Sequence, residues 1–208
     1  MDNKKTDMKT SFKLLLVAFA FVMIHGTLLA QVPFKNVPAQ SKVLVKGTST
    51  VHDWEMESTI VNIEMGVEHH ENKISIDDVK FSSLAKGLKS KHSLMDEKAL
   101  DALKVKQHPE IKFSQSEGIT VATQGKSFSG TLQGKLEIAG VSQTIKVPFS
   151  GTFKSDQAIT VNGVVKLKMS DFGIKPPTAM MGTIKTGDDF VLEYSIDLKT
   201  NQSISASK

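Results

Sequence analysis

The chain contains no cysteine and no arginine. Without cysteine there is no thiolate catalysis, no cysteine-based zinc site, no disulfide and no cysteine for lipoprotein-type acylation. A chain of 208 residues does not need disulfides, because a domain of this size buries roughly 70% of its unfolded surface. All 26 basic residues are Lys. The planar guanidinium fork that grips phosphates and guanine edges bidentately is therefore missing, and Lys does not reproduce it. The formal charge is +4. Outside the first 30 residues, which hold Lys4, Lys5, Lys9 and Lys13 against Asp2 and Asp7, the balance is only +2. That field is too weak to steer strongly, so no nucleic-acid partner is expected.

Long apolar runs are also scarce. The longest is Leu14 to Ile24, eleven residues without a charge. A spanning helix needs ~20. The Lys-rich front, the apolar run, Gly26 and the small Ala30 before Gln31 read as a secretory signal over residues 1–30, an uncleaved anchor being the alternative. The domain after it, residues 31–200, is then expected outside the cytoplasm, periplasmic or secreted, with no stable membrane span. Residues 201–208 read as a flexible tail.

What the chain does have is strict alternation. Phe128, Gly130, Leu132, Gly134, Leu136 and Ile138 share one face of an extended segment; Ser129, Thr131, Gln133, Lys135 and Glu137 share the other. The pattern returns at Ile145 to Phe153, at Ile159 to Met169 and at Phe190 to Leu198. Such strands argue an antiparallel sheet with one buried face. Lys42 to Ser49, Trp54 to Glu68, Lys73 to Ser82 and Glu110 to Ser116 are the expected strands of the N-terminal half. About eight strands in sequence predict an all-β antiparallel meander closed into a barrel, which removes the edges. One segment, around residues 93–104, spaces its apolar residues at helical intervals and predicts a short inserted helix, with Ser93 as its cap.

Gly130, Gly134, Gly151 and Gly163 fall on the apolar face. They leave either room for a ligand or kinks that let the sheet close. A barrel of about eight strands holds one small ligand or a packed core, and alternation does not distinguish these. The candidate lining is Trp54, Phe81, Leu94, Phe113, Phe128, Leu132, Phe149, Phe153, Val165, Phe172, Met180, Met181 and Phe190. Leu136, Val147, Val161, Leu167 and Leu192 share that face. Met180 and Met181, in the long stretch from Asp171 to Asp188, form either an adaptable lip or the closure of the core. Leu94, Met95, Ala99, Leu100 and Leu103 either plug the barrel or pack on its outside.

Several motifs in order resemble the YceI-like family. Gly47-Thr-Ser-Thr-Val-His-Asp-Trp54 is similar to its opening strand. Lys89 to Asp96, Ala99 to Leu103 and His108-Pro-Glu-Ile-Lys-Phe-Ser114 resemble its helical insertion and following strand. Gly130 to Val141 with Val147-Pro148-Phe149, and Ser170-Asp-Phe-Gly-Ile174, resemble its later strands and loop. Ser-Lys-His-Ser-Leu at residues 90–94 departs from the Arg-Asp-type segment of many relatives, which bears on ligand identity. The resemblance implies a lipocalin-like barrel binding a polyisoprenoid, quinone-like or fatty chain. It implies no cofactor beyond such a lipid and no catalytic motif. The rival reading is a solid barrel that binds a partner through its loops; the oligomeric state stays open, a dimer included.

Catalytic chemistry finds little support. His52 and Asp53 are adjacent on an extended chain and point apart, so with Ser49 they are expected to fix a turn. His69 and His70, flanked by Glu68 and Glu71, read as a solvated turn rather than converging metal ligands. His92 and His108 flank the helix and are expected in capping or loop roles. Asp77-Asp78 and Asp188-Asp189 are not placed to aim two carboxylates at one bond, and no phosphate-binding glycine loop occurs.

Overall fold

The computed structural model describes residues 31–58 and 60–204. The leader expected over residues 1–30 and the last four residues of the expected tail lie outside the described residues. Thirteen strands form one sheet: β1 (Val32–Asn36), β2 (Lys42–Ser49), β3 (Trp54–Ser58), β4 (Val61–His70), β5 (Lys73–Leu84), β6 (Leu88–Lys89), β7 (Glu110–Gln115), β8 (Ile119–Gln124), β9 (Ser127–Ile138), β10 (Val141–Ser155), β11 (Ala158–Lys168), β12 (Thr178–Ala179) and β13 (Ile184–Lys199). Among the described residues one α-helix, α1 (Ser93–Ala102), is inserted between β6 and β7.

Several strands are halves of one ribbon. β1 and β2 both run against β13, while β1 also pairs with β4 and β2 with β3. β7 and β8 both bridge β5 and β9. Counted as ribbons, the wall is a closed antiparallel barrel of eight strands with one short helix, as the alternation implied. The strand expected as Trp54 to Glu68 is broken at residues 59–60, where the ribbon changes partner from β2 to β1. There the Ser58 and Ser83 hydroxyls, both buried, hydrogen-bond to each other at 2.7 Å. β1 and β8 were not expected from the sequence.

The barrel has two unlike ends. At the lower end, Glu71-Asn72, Gly125-Lys126 and Asp156-Gln157 turn the chain between consecutive strands. At the upper end, Ala139-Gly140 makes a tight turn with φ of 51° and 81°, the left-handed pair that a two-residue hairpin favours. The other upper connections are long: residues 50–53, 85–109 and 169–183.

The core is continuous, and Phe34, Val67, Ile74, Ile159 and Leu198 are all less than 2% exposed. These five belong to the lower half. The tail turns back onto that end: Ile204 is buried, and its N–H donates to the Asp156 carbonyl at 3.2 Å. Ile204 is thus docked, because it buries apolar surface there, while residues 201–203 are exposed.

Helix α1 starts at Ser93 itself, with His92 in the cap position. Ser90 serves the first turn instead, donating its N–H and its hydroxyl to the Asp96 carboxylate, each at 2.7 Å. Burial pushes the Asp96 carboxyl up; the Ser90 hydrogen bonds and Lys89 outweigh it and hold it below its ordinary value. No residue of α1 is buried, although Ala102 and Leu103 pack against the core. Of the two readings of this segment, the structure takes packing on the barrel over plugging it.

Candidate functional site

The inward faces of the strands enclose a cavity of about 150 Å³. β2, β4 and β5 contribute Val43, Ile63, Met65, Ile76, Val79 and Phe81. β7 and β9 contribute Phe113, Leu132 and Leu136. β10, β11 and β13 contribute Ile145, Val147, Phe149, Val161, Val165, Leu192, Tyr194, Ile196 and Leu198. The Tyr194 phenol is the one ionisable group in this wall. Its hydroxyl donates to the Pro148 carbonyl at 2.8 Å, and burial pushes its pKa above the ordinary phenol value. It therefore stays a protonated donor. A wall of this kind accepts hydrocarbon and rejects charge, whose desolvation nothing here would offset.

Of the residues expected to line the interior, Phe81, Phe113, Leu132, Phe149 and Val165 do so. Phe128 and Phe153 sit below the cavity, with ring centroids 5.1 Å apart, and Phe128 is 6.2 Å from Phe149. Phe190 is buried in the core beside Gly47, its partner in register. Phe172, fully buried, caps the upper end from a single helical turn, Ser170–Phe172. Trp54 lies flat against Gly47 and donates Nε1–H to the Thr48 carbonyl at 3.0 Å. Leu94 is 55% exposed on α1, and Met180 and Met181 are 70% and 105% exposed at the tip of the β12–β13 hairpin. Neither methionine closes the core. Both adopt left-handed backbone, φ 50° and 54°, which turns the tip outward.

The four glycines of the apolar face leave neither empty cavity nor bare kinks. Each is covered by an aromatic ring: Phe113 over Gly134, Phe128 over Gly151 and Tyr194 over Gly163 would be struck by a Cβ, while at Gly130 a Cβ would strike Val121 and press on Phe149. Three of these pairs are directly opposed across neighbouring strands. A glycine that would otherwise weaken a strand is compensated by its partner's ring.

The candidate catalytic groups do not gather at one point: Ser49, His52 and Asp53 hold the 50–53 turn, whereas His69 and His70 are the last two residues of β4, half-buried, and not a solvated turn. Ser49 Oγ accepts the N–H groups of Val51 and His52 and donates to the His52 carbonyl, at 3.3, 3.2 and 2.7 Å. His52 Nδ1 lies 2.7 Å from the Asp53 carbonyl oxygen. These contacts fix the 50–53 turn. The His69 ring packs on Phe153 at 5.0 Å, and His70 Nε2 is 3.5 Å from Glu68. Among the described residues no three His, Cys, Asp or Glu side chains converge as metal ligands, and no helix is long and apolar enough to cross a membrane.

Solved structures with this architecture agree with the fold. BcnA from Burkholderia cenocepacia superposes with a TM-score of 0.60 at 17% identity, over 78% of this chain and 98% of that one. A polyisoprenoid binding domain from Saccharophagus degradans, implicated in plant cell wall breakdown, gives 0.59 at 9% identity, over 82% and 99%. The Campylobacter jejuni YCEI protein gives 0.51 at 19% identity, over 61% and 74%. Identities this low establish the shared barrel alone. A comparison with curated proteins gave no match. The YceI-like domain model matches residues 34–198, the span of the barrel from β1 to β13, and the chain belongs to that family.

Proposed function

We propose that this chain is an exported, non-catalytic carrier that holds an apolar chain, such as a polyisoprenoid, quinone-like or fatty lipid, inside its barrel. The observation that carries this reading is the wall of the cavity, which is hydrocarbon throughout apart from one hydrogen-bonded phenol. The Saccharophagus domain, described as polyisoprenoid-binding, has the same fold. The basic leader and its apolar run support export to the periplasm or beyond. Among the described residues Ser49, His52 and Asp53 fix a turn, His69 and His70 end β4, and the paired carboxylates sit at register shifts within β5 and β13, which supports a role without chemistry.

The free space, about 150 Å³, is of the size that accommodates a benzene-like guest. A long chain therefore has to displace flexible side chains such as Met65, Leu132 and Leu192, or leave part of its length outside. Native mass spectrometry of the mature protein, followed by organic extraction, tests the reading. The expected result is an apolar chain bound one to one. A bare mass that persists after incubation with polyprenyl, quinone and fatty lipids would sink it.

A further inference from the structure

The wall is not zipped all the way round. β10 and β11 pair only from Ser150–Asn162 down to Ser155–Ala158. Above that point, β10 remains paired to β9 up to Val141, and β11 remains paired to β13 up to Lys168. Each strand keeps its outer ladder, while the edges they turn toward one another, 141–149 and 163–168, carry no ladder pairs. Pro148 accounts for where the zipping stops. It has no N–H to donate, and its carbonyl accepts from Tyr194, which reaches it across Gly163. With a side chain at residue 163 the phenol would not fit there.

The slot therefore has a lower bolt, the Tyr194–Pro148 hydrogen bond. It also has an upper one: Gln143 Nε2 donates to the Asp171 carbonyl at 2.6 Å, beside the buried Phe172. Between the bolts, Ile145 and Val147 on β10 and Val165 on β11 belong to the cavity wall. On the outside Val164 is 50% exposed. Parting any fully laddered pair of strands breaks a row of backbone hydrogen bonds, each worth about 1 kcal/mol net. Parting these two edges breaks no ladder pair, only the two side-chain bolts.

We infer that the slot between β10 and β11 is the doorway of the cavity. An apolar chain passes sideways through it, and the length that exceeds the cavity lodges between Ile145, Val147 and Val165. This rests on the carrier reading and adds to it the route and the two residues, Pro148 and Tyr194, that set the slot's lower limit. Extending the register of the lower ladder puts Lys146 opposite Lys166, both exposed and outside the cavity.

The natural absence of cysteine makes the test clean. In the mature chain carrying Lys146→Cys and Lys166→Cys, the two thiols are joined by a disulfide or, across a wider gap, by a short bis-thiol linker. Stopped-flow uptake and release of a fluorescent polyene fatty acid is then followed. Joining the lips is expected to slow both rates by about tenfold or more, cleavage of a disulfide bridge to restore them, and Lys146→Cys alone to leave them unchanged. Equal rates in bridged and open protein overturn the doorway and direct the traffic to the upper end. No saturable uptake by the open protein overturns the carrier reading and the doorway together. Pro148→Thr supplies an independent arm. It returns an N–H to the edge facing β11, lets the ladder extend upward, and is expected to slow exchange; an unchanged or faster rate counts against the slot.

Discussion

At the lower end of the barrel, three two-residue turns join long strands. Phe34, Val67, Ile74 and Ile159 fill the space beneath the cavity, with Leu198 at its floor, and Ile204 closes over that end. At the upper end three connections run long, and Val51, Leu94, Met180 and Met181 stand exposed. The same wall is thus closed by strand side chains at one end and, at the other, by Phe172 set in a long connection whose tips are exposed. Stability is concentrated where burial is complete, and freedom to move is left where the chain is poorly buried.

The largest effect that would break this contrast is a lower-end truncation. Phe34→Ala should cost ~3–5 kcal/mol in denaturant unfolding, whereas Met180→Ala should stay within ~0.5 kcal/mol. Comparable losses at the two sites would dissolve the distinction. Next comes a filling of the middle. Val165→Phe adds volume to the cavity and should weaken binding of a long-chain fluorescent lipid by about tenfold or more, at a stability cost of ~1–3 kcal/mol at most. Retained affinity, measured by titration, would place the ligand elsewhere.

Met181→Gly relieves a left-handed backbone (φ 54°) and should raise stability by ~1 kcal/mol in thermal unfolding. A loss would mean that the Met181 side chain is doing unseen packing. The smallest effect is electrostatic. The Ser170 hydroxyl, and then its N–H, donate to Asp188 and hold its carboxyl below the ordinary range. A depressed acid contributes stability above its unfolded pKa and loses it as pH falls through the folded one. Asp188→Asn should therefore lower the melting temperature slightly at neutral pH, with the gap closing toward strong acid. A pH-independent gap would assign the loss to shape rather than charge.

The barrel was legible from alternation because β9, β10, β11 and β13 keep one phase over most of their length, with the shifts at Phe153–Ser155 and Thr186–Phe190 falling near strand ends. The N-terminal half blurred it. In β5, Ile74 and Ile76 face inward on even numbers, then Val79 and Phe81 on odd ones. The phase slips at Asp77-Asp78, where Asp78 takes φ 53° and the register with β4 shifts. A bulge of this kind inserts a residue that a fixed alternation does not anticipate. β8 was too short and polar to stand out, and β1 sits directly behind the leader.

The site was harder to read, for a specific reason. Aromatic residues on apolar faces point to a lining role, yet Phe128, Phe153, Phe172 and Phe190 are spent on packing above and below the cavity. Val43, Ile63, Met65, Ile76 and Val79 complete the wall instead. β-branched and Met residues on the N-terminal strands were the available signal. Nothing in the sequence marked Pro148 as the residue that ends a ladder, since that depends on which neighbour its edge faces.

The glycine–aromatic pairs carry a consequence for how such a barrel can change over generations. At Gly151 no side chain can be accepted while Phe128 keeps its ring, and shortening Phe128 alone opens a void beside a bare strand. Neither position can drift freely without the other, so the two should behave as one heritable unit. Substitutions at Gly163 and Tyr194 should be tied in the same way. The interior of the barrel is then resized in steps of a whole ring traded across a strand boundary, and not by gradual exchange of one residue at a time.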